Sequence, residues 1–250
     1  FNEAESLCGC AEMISDCTLW SEINRRLKSE FPGYDALEFQ QKVKEIQYYK
    51  NFQNLPKLLD TEEWGEFREV VSFFYRSISE VTGKQTIIDS SKSIPWAYML
   101  TQIPTIDLRI IHLERDLLSV ANSWKKKVPL PEYPNREVWM PVKSNWVIAK
   151  NWLKIKKMAR ILEKRANYMF LSYEDFCSHP EQKMSEIEQF ANVIIPANEL
   201  ELRPNHAIGG NPMRSSLNKI EIHKGLKNHK NLNSAAKTFF KLTKRVSKII

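Results

Sequence analysis

Glycine is scarce in this chain: seven residues in 250, none of them in a G-x-x-x-x-G-K-[ST] arrangement. The sequence therefore contains no phosphate-cradling loop of the Walker kind. No apolar run approaches the roughly 18 residues of a membrane span, and Phe1 does not open a signal peptide. Four cysteines do not make a disulfide scaffold for a domain of this size. Three of them, Cys8, Cys10 and Cys17, cluster near the start, where packing or free thiols, a local disulfide to Cys17 and a metal all stay open. No obvious fourth ligand for a closed zinc site accompanies them. His112, His179 and His206 show no metal-ligand spacing and read as structural, His112 within a strand and His179 beside Pro180 in a turn.

What is present is the composition of an ordinary globular protein, 42% hydrophobic and 27% charged, and 250 residues make one large domain or two small ones. The formal charge of +7 is unevenly placed. Eight of the 37 basic residues lie between Lys224 and Ile250 with no acid among them, which leaves 29 basic against 30 acidic in residues 1–223. The body is thus near neutral and the excess sits in the tail. A basic tail reads either as a solvated helix surface or as a contact for nucleic acid or a membrane. The lack of aromatic–basic alternation argues against single-strand binding.

Along the chain, residues 7–20 read as a compact turn that ends against Trp20, with a helix from Ser21 to Lys28 that Phe31-Pro32-Gly33 breaks. Leu37, Val43, Ile46, Tyr49, Phe52 and Leu55 recur at helical spacing up to Pro56. A third helix starts at Thr61-Glu62-Glu63 with Trp64, Phe67, Val70, Val71, Phe74 and Ile78 on its inner side, until Gly83 stops it. Pro129-Leu130-Pro131-Glu132-Tyr133-Pro134 is a loop. Val142 to Ala166 predicts a long amphipathic helix, with Trp146, Ala149, Trp152, Leu153, Ile155 and Ile161 among its apolar positions. Tyr168 to Ser172 predicts a strand, followed by Tyr173-Glu174-Asp175-Phe176, and Glu181 to Val193 a further helix.

The chain is organised around Gln85 to Lys127. Two short apolar runs, Thr86 to Ile88 and Leu108 to Leu113, each end in polar residues: Asp89-Ser90-Ser91-Lys92 and Arg115-Asp116. Runs of this length read as buried parallel strands, and in open α/β sheets ligands sit at the carboxyl ends of strands. After Arg115 the pattern becomes helical, with Asp116 placed to cap it. An arginine at a strand end, with Ser123 eight residues later on the following helix, can hold a phosphate through a two-pronged permanent cation and one hydroxyl.

The stretch IIHLERDLLSVANSW, with DSSK one strand earlier, resembles the sulfotransferases that use 3'-phosphoadenosine-5'-phosphosulfate (PAPS). LCGCAEMISDCTLW at residues 7–20 and HAIGGNPMR at residues 206–214 fit the bacterial-type branch. The resemblance implies a P-loop-like three-layer α/β fold with a central parallel sheet flanked by helices, strands near 85–89, 108–113 and 168–172 being adjacent. It implies one domain over residues 1–250: a helical insert at about 21–82, a nucleotide-binding core at about 85–175, and a closing segment with the basic tail at about 204–250. Arg115 and Ser123 would bind the 3'-phosphate, Tyr173 would lie near the adenine, and Asn211 and Arg214 of the glycine-pair turn would donate to phosphate. Leu117 stands where the family usually has Pro at the first helical position. The family's Gly/Ser/Thr-rich 5'-phosphosulfate loop should precede residue 7, with an acidic base just after it. The resemblance thus implies a chain that begins after that loop, short of its first strand, and inactive without it.

The reaction so implied moves a sulfuryl group from PAPS to a hydroxyl or amine of a small-molecule, glycan or lipid acceptor and needs no metal. Lys92, the only cation of its segment, and Asp89 are the candidate catalytic residues, since cations must meet the charge that builds on the bridging oxygen. A cytoplasmic enzyme with no nucleic-acid partner is expected. The competing reading is a non-catalytic nucleotide-binding or interaction module. A P-loop kinase would need Walker residues and an acidic Mg²⁺ ligand, and a nucleic-acid-binding protein fits least.

Overall fold

The structure is a computed structural model and describes residues 7–48, 52–129, 137–195, 206–207 and 229–247. These residues group into two compact units. The first holds the described residues up to Leu108 together with His206 and Ala207, and the second holds those from Arg109 onward.

The first unit is helical: α1 (Thr18–Glu30), α2 (Ala36–Gln47), a short 3-10 turn (Phe52–Asn54), α3 (Leu55–Leu59), α4 (Glu62–Thr82) and α5 (Ile94–Leu100). Asp35 caps α2 by accepting from the amides of Leu37 and Glu38. Gly83, at φ 65, closes α4 in the left-handed conformation that a side chain would resist. α1 buries Ile23 and Leu27 as it packs on α4. Rings fill the rest: Trp20 stacks on Phe74 at 6.2 Å, Phe39 meets Phe67 at 5.4 Å and Phe74 at 5.7 Å. The aromatic stripe of α4 is thus core.

The expected strand at 85–89 does not form. Thr86 to Asp89 have no ladder partner among the described residues, and Ile88 is 90% exposed. A run of three apolar residues has too little to bury, and without a partner its backbone groups turn to water.

The second unit carries β1 (Arg109–Glu114), α6 (Leu117–Ser123), α7 (Asn145–Glu163), β2 (Asn167–Ser172), α8 (Tyr173–Ser178), α9 (Pro180–Ala191) and α10 (Ser234–Val246). β1 and β2 are parallel, in register from Arg109 opposite Asn167 to Glu114 opposite Ser172. The two later strands of the expected sheet are therefore adjacent and parallel, in a mostly helical α/β protein. They are not fully buried: Ile111, Leu113 and Phe170 are exposed, since among the described residues each strand has only one neighbour.

The core of this unit gathers Leu117, Leu118 and Ala121 of α6, Ile148 and Ala149 of α7, and Leu232, Ala236 and Phe240 at and before α10. α10 answers the question of the basic tail in part: its apolar face is core, while Lys241 and Arg245 stay on the exposed side. On α7 the apolar pattern is offset from expectation. Trp146 is 69% exposed and Ile155 is exposed, whereas Ile148, Met158 and Leu162 are buried. The loop expected at 129–134 lies almost wholly outside the described residues, apart from Pro129, which bridges Trp139.

Phe240 is fully buried where three helices meet. Phe240→Ala is expected to cost about 3–5 kcal/mol, lost packing plus a residual cavity. Urea unfolding followed by tryptophan fluorescence measures it.

Candidate functional site

β1 ends at Glu114, and the next two residues point to different tasks. Asp116 caps α6: its Oδ2 accepts from the amides of Leu118 at 3.1 Å and Ser119 at 3.2 Å. Its Oδ1 takes Lys244 Nζ of α10 at 2.7 Å, and His229 Nε2 lies 3.7 Å from Oδ2. The Asp116 amide donates to Glu174 Oε1 of α8 at 3.0 Å. Burial pushes the Asp116 carboxyl up, but the hydrogen bonds from Lys244 and from the two helix amides outweigh it and hold it below the usual carboxylate range. Glu114 on the other side pairs with Lys156 at 3.0 Å.

Both acids beside Arg115 are therefore occupied by other cations, and among the described residues no carboxylate pairs with it. Its guanidinium lies 4.8 Å from the ring centroid of Tyr173, the first residue of α8. Its Nε is buried with no hydrogen-bond partner among the described residues. A stacked guanidinium with a spare, desolvated donor is a fixed cation presented for an anion. Tyr173 is itself set in place, since Ser172 Oγ caps α8 by accepting from Asp175 at 3.3 Å. A hydrogen bond to Cys177, with burial, raises the Tyr173 hydroxyl above its ordinary value.

Ser123 is the last residue of α6 and is exposed. The preceding residue anchors that end of the helix, with Asn122 Oδ1 accepting from the Asn231 amide at 2.7 Å. Asn211 and Arg214 lie outside the described residues. His112 is structural as expected. Its Nδ1 meets the Tyr168 hydroxyl at 2.5 Å, and burial holds the ring below the usual histidine range.

In the first unit Asp89 is fully engaged. Its Oδ2 accepts from the Tyr75 hydroxyl at 2.5 Å and from Trp96 Nε1 at 3.0 Å, and its Oδ1 from the Ser91 amide at 2.7 Å. Lys92 follows at φ 60, exposed and without an ion pair among the described residues. A cleft of ≈ 560 Å³ in the same unit, lined by Arg68, Ser72, Arg76 and Thr105 among others, contains none of the candidate site residues.

The same unit holds a second polar cluster. All four cysteines are free. Cys8, Cys10 and Cys17 are joined by His206, whose Nδ1 lies 3.2 Å from Cys17 Sγ and 3.8 Å from Cys8 Sγ, while Cys10 and Cys17 Sγ are 3.8 Å apart. The four atoms lie within 4.8 Å of one another. Sequence spacing missed this partner because it stands 189 positions from Cys17.

The family model of the sulfotransferase domain matches residues 30–239, and the chain belongs to that family. It is a transferase domain of the sulfotransferase class. No curated protein sequence and no solved structure matches it. No helix among the described residues is long and apolar enough to cross a membrane.

Because the Asp116 carboxyl lies below its ordinary value in the fold, its stabilising share is present above about pH 4 and is lost as pH falls through the folded value. Asp116→Ala is expected to cost about 1–2 kcal/mol at pH 7, mainly the helix cap. Asp116→Asn keeps a capping oxygen and costs less. The gap between wild type and either variant is expected to narrow as thermal melts are taken from pH 7 to pH 3.

Proposed function

We propose that this domain transfers the sulfuryl group of PAPS to a hydroxyl or amine of a small-molecule, glycan or lipid acceptor. The observation that carries the reading is Arg115, at the end of a parallel strand, over the ring of Tyr173, with a buried donor that no group among the described residues takes. A terminal phosphate suits that cation, and in this reading the exposed Ser123 hydroxyl at the far end of α6 adds a second donor to the 3'-phosphate. Tyr173 lies near the adenine in this reading, and Asn211 and Arg214 add donors from the glycine-pair turn. The match over residues 30–239 spans both units and supports one sulfotransferase domain rather than two separate functions.

The acceptor oxygen or nitrogen attacks sulfur in line, the sulfur–oxygen bond to the 5'-phosphate breaks, and the acceptor proton passes to a base. Arg115 and Ser123 act far from the reacting bond, so their share is positioning. Lys92 is the cation assigned to charge developing on the sulfuryl group. Asp89 holds the turn before it, through its bonds to Tyr75, Trp96 and Ser91.

A charged hydrogen bond to phosphate is worth roughly 1.5–3 kcal/mol, so Arg115→Ala is expected to weaken binding of 3'-phosphoadenosine-5'-phosphate on the order of 10–100-fold. A nucleotide without the 3'-phosphate should bind almost equally to wild type and variant. Calorimetric titration of both proteins with both nucleotides reads this directly, and equal losses would reject the assignment. Lys92→Ala is expected to lower kcat about 10²–10³-fold with nucleotide affinity unchanged. Steady-state kinetics of a chain that carries the family's 5'-phosphosulfate loop, beside the same titration, separates the two effects, and an unchanged kcat would remove Lys92 from the reaction.

A further inference from the structure

We propose that Cys8, Cys10, Cys17 and His206 form a closed structural zinc site. Two thiolates at about 2.3 Å from a tetrahedral ion stand about 3.8 Å apart, and a thiolate and an imidazole nitrogen about 3.6 Å. The Cys10–Cys17 separation is 3.8 Å, and His206 Nδ1 lies 3.2 Å and 3.8 Å from two of the sulfurs, with all four donor atoms within 4.8 Å of one another. Three of the six edges thus lie close to those of a zinc tetrahedron, and the other three, at no more than 4.8 Å, need only small side-chain shifts to close on an ion.

The scaffold around the four atoms is built independently of them. The Cys8 amide donates to Glu12 O at 2.8 Å and the Ala11 amide to Cys8 O at 2.9 Å, which folds Cys8-Gly9-Cys10 into a tight turn between the bridged residues Leu7 and Met13. Cys17 is the residue before α1 and does not cap that helix with its side chain. His206 is fixed from its backbone, its carbonyl accepting from Trp20 Nε1 at 2.9 Å while Gly9 N donates to Ala207 O at 3.0 Å. These bonds aim Nδ1 at the sulfurs from a remote part of the chain.

The rival explanations fit less well. A disulfide needs sulfurs at about 2.05 Å, and the cysteines are free. Cys8 and Cys17 are buried, and plain packing gives no reason for an imidazole nitrogen to face three thiols. Thiolates with imidazole select zinc over the oxygen-seeking magnesium and calcium, and four protein ligands leave no open position for catalysis. On binding, three thiol protons leave for solvent, and three thiolates with Zn²⁺ and neutral imidazole carry one net negative charge. The metal would clip the start of the chain to the segment that leads, three residues later, into Gly209.

The test uses the full chain purified without a histidine tag from zinc-replete culture. Elemental analysis is expected to find about one zinc per chain. Chelation should lower the unfolding temperature, and cobalt(II) added to the stripped protein should give the intense visible bands of a tetrahedral thiolate site. Cys10→Ser, the least buried thiol of the cluster, and His206→Ala should each lower zinc affinity by more than the roughly 10–100-fold that loss of an outer partner costs. Cys177→Ser should leave it unchanged. Should either of the first two variants fail to fold, His206→Cys keeps four soft ligands and is expected to retain zinc with a four-thiolate cobalt spectrum. Absence of both zinc and the tetrahedral cobalt spectrum, iron in place of zinc, or zinc that survives in Cys10→Ser and His206→Ala alike would each overturn the proposal.

Discussion

Asp116 sits where β1 hands over to α6, and four elements meet on its atoms. One oxygen closes the open amides at the start of α6, the other takes Lys244 from α10, and its amide leans on Glu174 of α8. The capping fixes the direction in which α6 leaves the strand, and that direction carries Leu117, Leu118 and Ala121 into the core against Phe240. The Lys244 contact fixes α10 at the same point, so the polar junction and the apolar core specify one arrangement from two sides. The pairing with Lys244 has a further consequence one residue back. It removes Asp116 as a partner for Arg115, as Lys156 removes Glu114. The guanidinium is left with an aromatic face and an orphaned donor.

How far the sequence foretold this varies with the kind of signal. Leu108 to Leu113 and Tyr168 to Ser172 were legible as strands because each is an apolar, β-rich run with polar ends, and they pair as parallel neighbours over Arg109–Glu114 and Asn167–Ser172. The α4 stripe was legible because Trp64, Phe67, Val71, Phe74 and Ile78 repeat at helical spacing over about four turns. Thr86 to Ile88 carried the same strand signal at half the length, and composition alone does not supply the neighbour a strand requires. Trp146 shows the opposite failure, an aromatic at a plausible helical position that tertiary packing leaves in solvent. Arg115 and Tyr173 were both singled out, yet their contact joins residues 58 positions apart and no local pattern encodes it. His206 was invisible as a partner for the three cysteines for the same reason. Spacing rules find ligands on one turn or helix, not those that the fold brings from the far end of the chain.

The state of Arg115 also bears on how the site would discriminate. A buried donor without a partner costs about 1–3 kcal/mol, and a charged hydrogen bond to phosphate is worth a similar amount. A nucleotide carrying a 3'-phosphate would relieve that cost and add the charged bond, whereas one lacking the group would leave the donor as it is. Preference then arises from both sides of the comparison, which is how sites that hydrogen-bond a defining group reject analogues more strongly than apolar pockets reject a missing methylene. The aromatic support matters to this argument. Stacked on Tyr173, the guanidinium loses little further freedom when it binds, so more of the interaction appears as affinity. A lysine at the same place would offer the charge without the planar fork or the stacked rest position. On the proposed reading, the discrimination would belong to the geometry of this one side chain, since its two acidic neighbours are engaged elsewhere.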